Sequence, residues 1–170
     1  MSEGTARTEA SEAAEGTEVT ETERLEAHER RLVFDRFGND DAWELGSLLV
    51  RLARERGAAV VVDIRRGAQQ LFHYALPGTS ADNDAWIDRK CRVVERYGES
   101  SYLVGARFRA KGRTFEDHSR LDPDRYAAHG GAFPVRLRGT GVVGTIAVSG
   151  LAQGDDHQLV VEALERYLHA

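Results

Sequence analysis

The stretch Ala59-Val60-Val61-Val62-Asp63-Ile64-Arg65 followed by Arg66-Gly67 and then Gln69-Gln70-Leu71-Phe72-His73-Tyr74-Ala75-Leu76 decides the fold. β-Branched residues dominate its first half, as in a half-buried or buried strand. The Gly then turns the chain back into a second run, so the spacing predicts a β-hairpin. Working outward, Ala132–Arg138 and Val142–Ser149 form a second hairpin across Gly139-Thr140-Gly141. Pro134 cannot donate to a ladder, so its strand belongs at an edge or near a strand start. Upstream, Arg31–Phe37 has strand composition, with Leu32, Phe34 and Arg36 on one face and Val33, Asp35 and Phe37 on the other.

Helices fill the gaps. Asn39, Asp40 and Asp41 are N-cap residue types, and Asp41 with Glu44 has capping-box spacing. A helix therefore follows to about Glu55, its stripe formed by Ala42, Leu45, Leu49, Leu52 and Ala53. Ser80, Asp82 or Asn83 caps a second helix ending at Tyr97, with Trp86, Ile87, Cys91, Val93, Val94 and Tyr97 on its stripe. Ser100–Lys111 alternates like a strand, yet its Ser-Ser start and Gly112 end favour a helix. Pro123 can open a short helical turn at 123–128. A final helix capped by Asp155 carries His157, Val160, Val161, Leu164 and Leu168 inward. The expected order is β-α-β-β-α-α-β-β-α: an α+β fold with a mainly antiparallel sheet of about five strands.

Residues 1–23 read as a disordered acidic tail, and a short helix at 24–30 leads into a single domain spanning 24–170. The chain has 170 residues and a net charge of -5, from 28 acids and 23 bases. Seven Glu and one Arg fall in residues 1–23, so the body carries 21 acids, 22 bases and a net +1. A near-neutral body argues against a nucleic-acid groove or an anionic membrane surface as partner. The N-terminus has no apolar h-region, and no run suits a membrane span. One cysteine, Cys91, excludes an intrachain disulfide framework and fits a cytoplasmic setting.

Catalytic signatures are absent: no nucleophile elbow, P-loop, zincin helix or dinucleotide fingerprint occurs, and no catalytic residue is assigned. The candidate ligand-binding residues are His73, Thr79, Asn83, Trp86, Arg89, Lys90, His129, Gly130, Gly131 and His157. The turn at 77–83, with Thr79 and Asn83, precedes a helix start whose amides suit an anion. Lys90 shares a helical face with Trp86, Val93 and Tyr97, which calls for an anionic ligand group, a buried acid, a snorkelling stem or an interface ion pair. At Gly130-Gly131 the backbone can pass close to a neighbour. His157 at a helix start tends toward the neutral form. A Ser149–His157–Asp156 triad is disfavoured, because an acid normally orients its base from another element.

Leu71-Phe72-His73, Leu76-Pro77-Gly78-Thr79, Asp82-Asn83-Asp84-Ala85-Trp86-Ile87-Asp88-Arg89-Lys90, His129-Gly130-Gly131-Ala132-Phe133-Pro134-Val135, Gly141–Leu151 and Asp155-Asp156-His157 together resemble the haem-degrading-domain family related to GlcG and HbpS. The likeness covers about residues 30–168, and is strongest to the branch with the N-x-x-W-I-x-R-K signature. It implies a profilin-like fold, homo-oligomers, and a haem or other small-ligand module linked to haem breakdown. His73 and His129 are then the candidate iron ligands. Two other functions compete: a non-catalytic assembly protein without cofactor, in which Trp86, Lys90 and Tyr97 hold subunits together, and a cofactor-free enzyme acting on a small organic acid.

Overall fold

The computed structural model describes residues 19–170. Most of the stretch read as an acidic tail lies outside them. The chain runs α1 (Glu21–Arg31), α2 (Asn39–Glu55), β1 (Val61–Arg66), β2 (Gln69–Ala75), α3 (Ala81–Tyr97), α4 (Ser101–Ala110), α5 (Phe115–His118), β3 (Ala132–Leu137), β4 (Gly141–Ser149) and α6 (Gln153–Leu168).

The sheet is antiparallel throughout, in the order β2-β1-β4-β3. Strand alternation divides the core. Val62, Ile64, Phe133, Val135, Ile146 and Val148 face α2 and α6, burying Leu45, Leu49, Leu159, Val160 and Leu164. Val61, Ala132 and Ala147 point the other way, onto Ile87, Cys91 and Val94 of α3. Both hairpins form as the sequence predicts, and Pro134 lies on edge strand β3. Gly144 lies where β4 meets β1 at close range, because a Cβ there would stand 2.0 Å from the Arg65 carbonyl oxygen.

Among the described residues the sheet has four strands, not five. Arg31–Phe37 makes only an isolated parallel bridge, Phe34 to Leu137. Arg31 ends α1, Leu32 is that helix's C-cap and Gly38 is the N-cap of α2, which leaves only residues 33–37 between the two helices. Leu32, Phe34 and Phe37 are all buried, so the segment does not keep a two-residue alternation and acts as an apolar plug. The leading helix starts at Glu21, inside the stretch assigned to the tail, because Thr20 and Glu23 form a capping box. Asp41 serves α2 by accepting from Gly38 N–H (2.7 Å), and the N-cap is Gly38, just before the three candidates Asn39, Asp40 and Asp41. α4 is helical, capped by Ser100. Residues 123–125 form a turn, and the extra helical turn is α5 instead. Among the described residues no helix is long and apolar enough to cross a membrane.

Candidate functional site

α3 is placed by its own start signal. The Ser80 hydroxyl accepts from Asp82 N–H, and the Asn83 side-chain oxygen accepts from Ser80 N–H at 3.0 Å. This sets the register that puts Asn83, Trp86 and Lys90 on one flank, since residues three and four apart are neighbours. Opposite them run the 129–130 segment, the loop after β4 and the first turn of α6. Together they line an open, polar hollow of about 210 Å³ whose wall includes Asn83, Trp86, Lys90, His129, Ser149 and Gln153.

Its floor is a buried cation. Lys90 is 2% exposed. Its ammonium donates to the carbonyls of Val148 (2.6 Å) and Gly130 (3.0 Å) and to Asp156 Oδ2 (3.4 Å). An ammonium has three N–H donors, so all three are spent within the protein. Asp156 also accepts from Gly150 N–H (3.3 Å) and Leu151 N–H (2.9 Å). Lys90 is thus a clasp joining α3, β4, α6 and the glycine pair, rather than a free ligand contact. Burial lowers the pKa of Lys90 and raises that of Asp156, with their mutual attraction opposing both shifts. The glycines make the clasp fit. Gly131 has φ 131°, and a Cβ there would lie 2.4 Å from the Lys90 ammonium. A Cβ on Gly130 would lie 2.1 Å from the Gln153 carbonyl oxygen.

The remaining candidates distribute around this hollow. The Arg89 guanidinium lies over the Trp86 ring at 3.9 Å from its centroid. His129 is close to Trp86 (ring centroids 5.1 Å apart), with Nε2 3.3 Å from Glu116 Oε1 and a side chain 42% exposed. Thr79 does not line the hollow; its hydroxyl donates to the Leu76 carbonyl at 2.7 Å, within the turn. His73 is on the other flank of α3, paired through Nε2 with Asp84 at 2.7 Å. Sheet order explains this: parity puts His73 on the α3 face with its partner Asp63 and with Ala147, but β2 is the edge strand on the far side of β1 from β4, whose end reaches the hollow.

His157 faces inward as its stripe predicts, but it is sealed beneath the hollow. Its Nε2 meets His28 Nδ1 at 3.3 Å, and Tyr102 and Phe133 surround the ring. Its pKa is pushed down to about 3, first by burial and then by His28 and Arg24. The neutral form is the expected one, with burial rather than the helix start as the leading cause. No Ser149–His157–Asp156 triad forms, since Asp156 serves Lys90 and the loop amides while His157 pairs with His28. Gln153, Ser149 and Asp156 are site residues that sequence reasoning did not select. Among the described residues no cluster of three or more His, Cys, Asp or Glu is arranged to hold a metal ion.

An antiparallel four-stranded sheet between helical layers, with a polar hollow where the helix after the first hairpin meets the end of the second, defines an α+β sheet module with one open end. The chain belongs to the HbpS-like family: residues 37–165 match the model described as haem degrading protein HbpS-like. It is 72% identical over 144 residues to a UPF0303 protein of Streptomyces coelicolor, covering 85% of this chain and 91% of that one. The crystal structure of the Ybr137w protein superposes with a TM-score of 0.80 at 32% identity, over 87% of each chain. The PduOC:heme complex shares the fold, with a TM-score of 0.63 at 16% identity, over 75% of this chain and 92% of that one.

Proposed function

We propose that this chain is a small-ligand-binding protein whose site is the hollow beside α3. One observation carries the proposal: a saturated buried lysine locks four segments around a hollow that stays open and polar. Convergent polar groups fix the orientation of a ligand in a concavity, and a hollow this small and polar suits a small polar molecule.

Haem is the ligand that the family description and the PduOC complex put forward. At about 210 Å³ the hollow is below the ~300 Å³ at which pockets for drug-sized molecules begin, so one chain does not enclose a porphyrin. The residues that suit haem stand at the mouth. His129 is half exposed, and with Nε2 toward Glu116 its Nδ1 is left for iron. Arg89 would meet a propionate. His157 is sealed off, and His73 belongs to the opposite flank. When bound, haem would supply a redox-active iron; the chain would supply the imidazole, the cation and one wall.

Self-association belongs to the same proposal. β2 is an edge strand, and beside it a groove of about 690 Å³ is lined by Trp43, Val50, Arg51, Leu71, Phe72 and Tyr74, among others. Trp43 is 66% exposed there. Such an edge is a template for another chain, and a second copy is the occupant proposed. The competing assembly function puts Trp86, Lys90 and Tyr97 at the interface, but none of them lines this groove and Lys90 is spent within its own chain.

Hemin titration tests the ligand. A Soret shift is expected, abolished by His129→Ala and retained by His73→Ala. An unshifted spectrum removes haem from the proposal, and loss with His73→Ala alone moves the iron to the other flank of α3. Light scattering on Trp43→Glu tests assembly, with a smaller particle expected.

A further inference from the structure

We infer that the hollow beside α3 selects a small monocarboxylate, an inference that rests on the hollow being a ligand site. It comes from the orientation of two side-chain amides. Asn83 Oδ1 accepts from Ser80 N–H (3.0 Å), and Gln153 Oε1 accepts from Gly130 N–H (3.2 Å). A backbone N–H can only donate, so the oxygen of each amide is fixed toward the backbone and each –NH₂ is left as the free end. Both residues line the hollow, as does Trp86, whose indole nitrogen can only donate.

The charged groups of the floor do not answer these donors. The oxygens of Asp156 are taken by Lys90 and two backbone amides, and the Lys90 donors are taken by Asp156 and two carbonyls. The ligand must therefore bring acceptors. A carboxylate brings two oxygens to two amide groups, and an ionised acceptor strengthens each bond. The first turn of the 17-residue α3 and the guanidinium of Arg89 add a favourable field. Exposed Asp82 on the rim opposes a second negative charge, which disfavours a phosphate dianion. Size narrows the class further. At about 210 Å³ the hollow is smaller than the ~300 Å³ and above of pockets for drug-sized molecules, which suits a small acid. Its apolar end would rest on Trp86 and Leu151.

The test follows the side-chain NH signals of Asn83, Gln153 and Trp86 by ¹H–¹⁵N NMR on the full chain. The probes are acetate, benzoate, benzamide and hemin. Saturable shifts with acetate or benzoate, and weaker ones with benzamide, are expected. Asn83→Asp and Gln153→Glu keep the oxygen that serves Ser80 or Gly130 and replace the donor with a second acceptor. Each should weaken benzoate binding about tenfold or more while the backbone spectrum stays folded. Benzamide binding as tightly as benzoate, or either variant binding benzoate unchanged, overturns the inference. If hemin alone moves the three signals, the carboxylate class falls and the site stands. If no probe moves them, both fall.

Discussion

Replacing Lys90 by Met keeps the length and most of the volume of the side chain but removes its charge and three donors. The change strands Asp156, which is 3% exposed, and leaves the carbonyls of Gly130 and Val148 without their shared donor. Breaking a buried ion pair from one side costs about 3–5 kcal/mol, and the stranded carbonyls place this site toward the upper end. For a domain of this size each kcal/mol moves Tm by about 2–4 °C, so a fall of roughly 6–20 °C follows. Urea unfolding at neutral pH, followed by far-UV circular dichroism, measures the loss. Lys90→Met/Asp156→Asn should lose less than the sum of the two single changes, with a coupling of about 1 kcal/mol or more. A single-variant loss below about 1 kcal/mol would refute the clasp, because the ammonium would then not hold four segments together.

Acid should destabilise the fold through the imidazole pair. His157 is held neutral, its pKa near 3, and burial lowers His28 as well. A lowered histidine leaves the unfolded chain binding more protons, so stability is full above the ordinary pKa of about 6.5 and falls as pH drops from there toward 3. By pH 5 His157 alone accounts for about 2 kcal/mol, and His157→Phe should flatten that slope in urea titrations at pH 7 and pH 5. Gly144→Ala should lower stability by more than about 2 kcal/mol, since its Cβ would meet the Arg65 carbonyl; a thermal melt showing no loss would contradict the close β1–β4 contact. Leu25→Ala should cost about 2–4 kcal/mol, because Leu25 is fully buried in a cluster with Leu103 and Ala106; hydrogen exchange should then rise first in α1.

The hairpins were legible because β-branched runs and glycine turns act locally. The edge position of Pro134 followed from its missing donor. Arg31–Phe37 was misread because composition alone cannot tell a paired strand from an extended plug between two helices. At the site, Asn83, Trp86 and Lys90 could be grouped by helical spacing, and the glycine pair signalled a close approach, which is to the Gln153 carbonyl at Gly130 and to the Val148 carbonyl and the Lys90 ammonium at Gly131. Gln153 was hidden because its role depends on Gly130, 23 residues away, and nothing in its neighbourhood marks it. His73 belongs to a motif that resembles the family, and its place in the fold depends on strand order, which local sequence does not show: edge strand β2 carries it to the flank of α3 where it meets Asp84.

The proposed hold of the hollow beside α3 on a small ligand runs through Asn83 and Gln153. Native mass spectrometry of protein taken from its own cells, mild enough to keep bound molecules, measures this directly. The expected result is a retained mass on each copy that disappears in the Asn83→Asp/Gln153→Glu variant. A bare chain mass in both proteins, or the same retained mass in both, would contradict it.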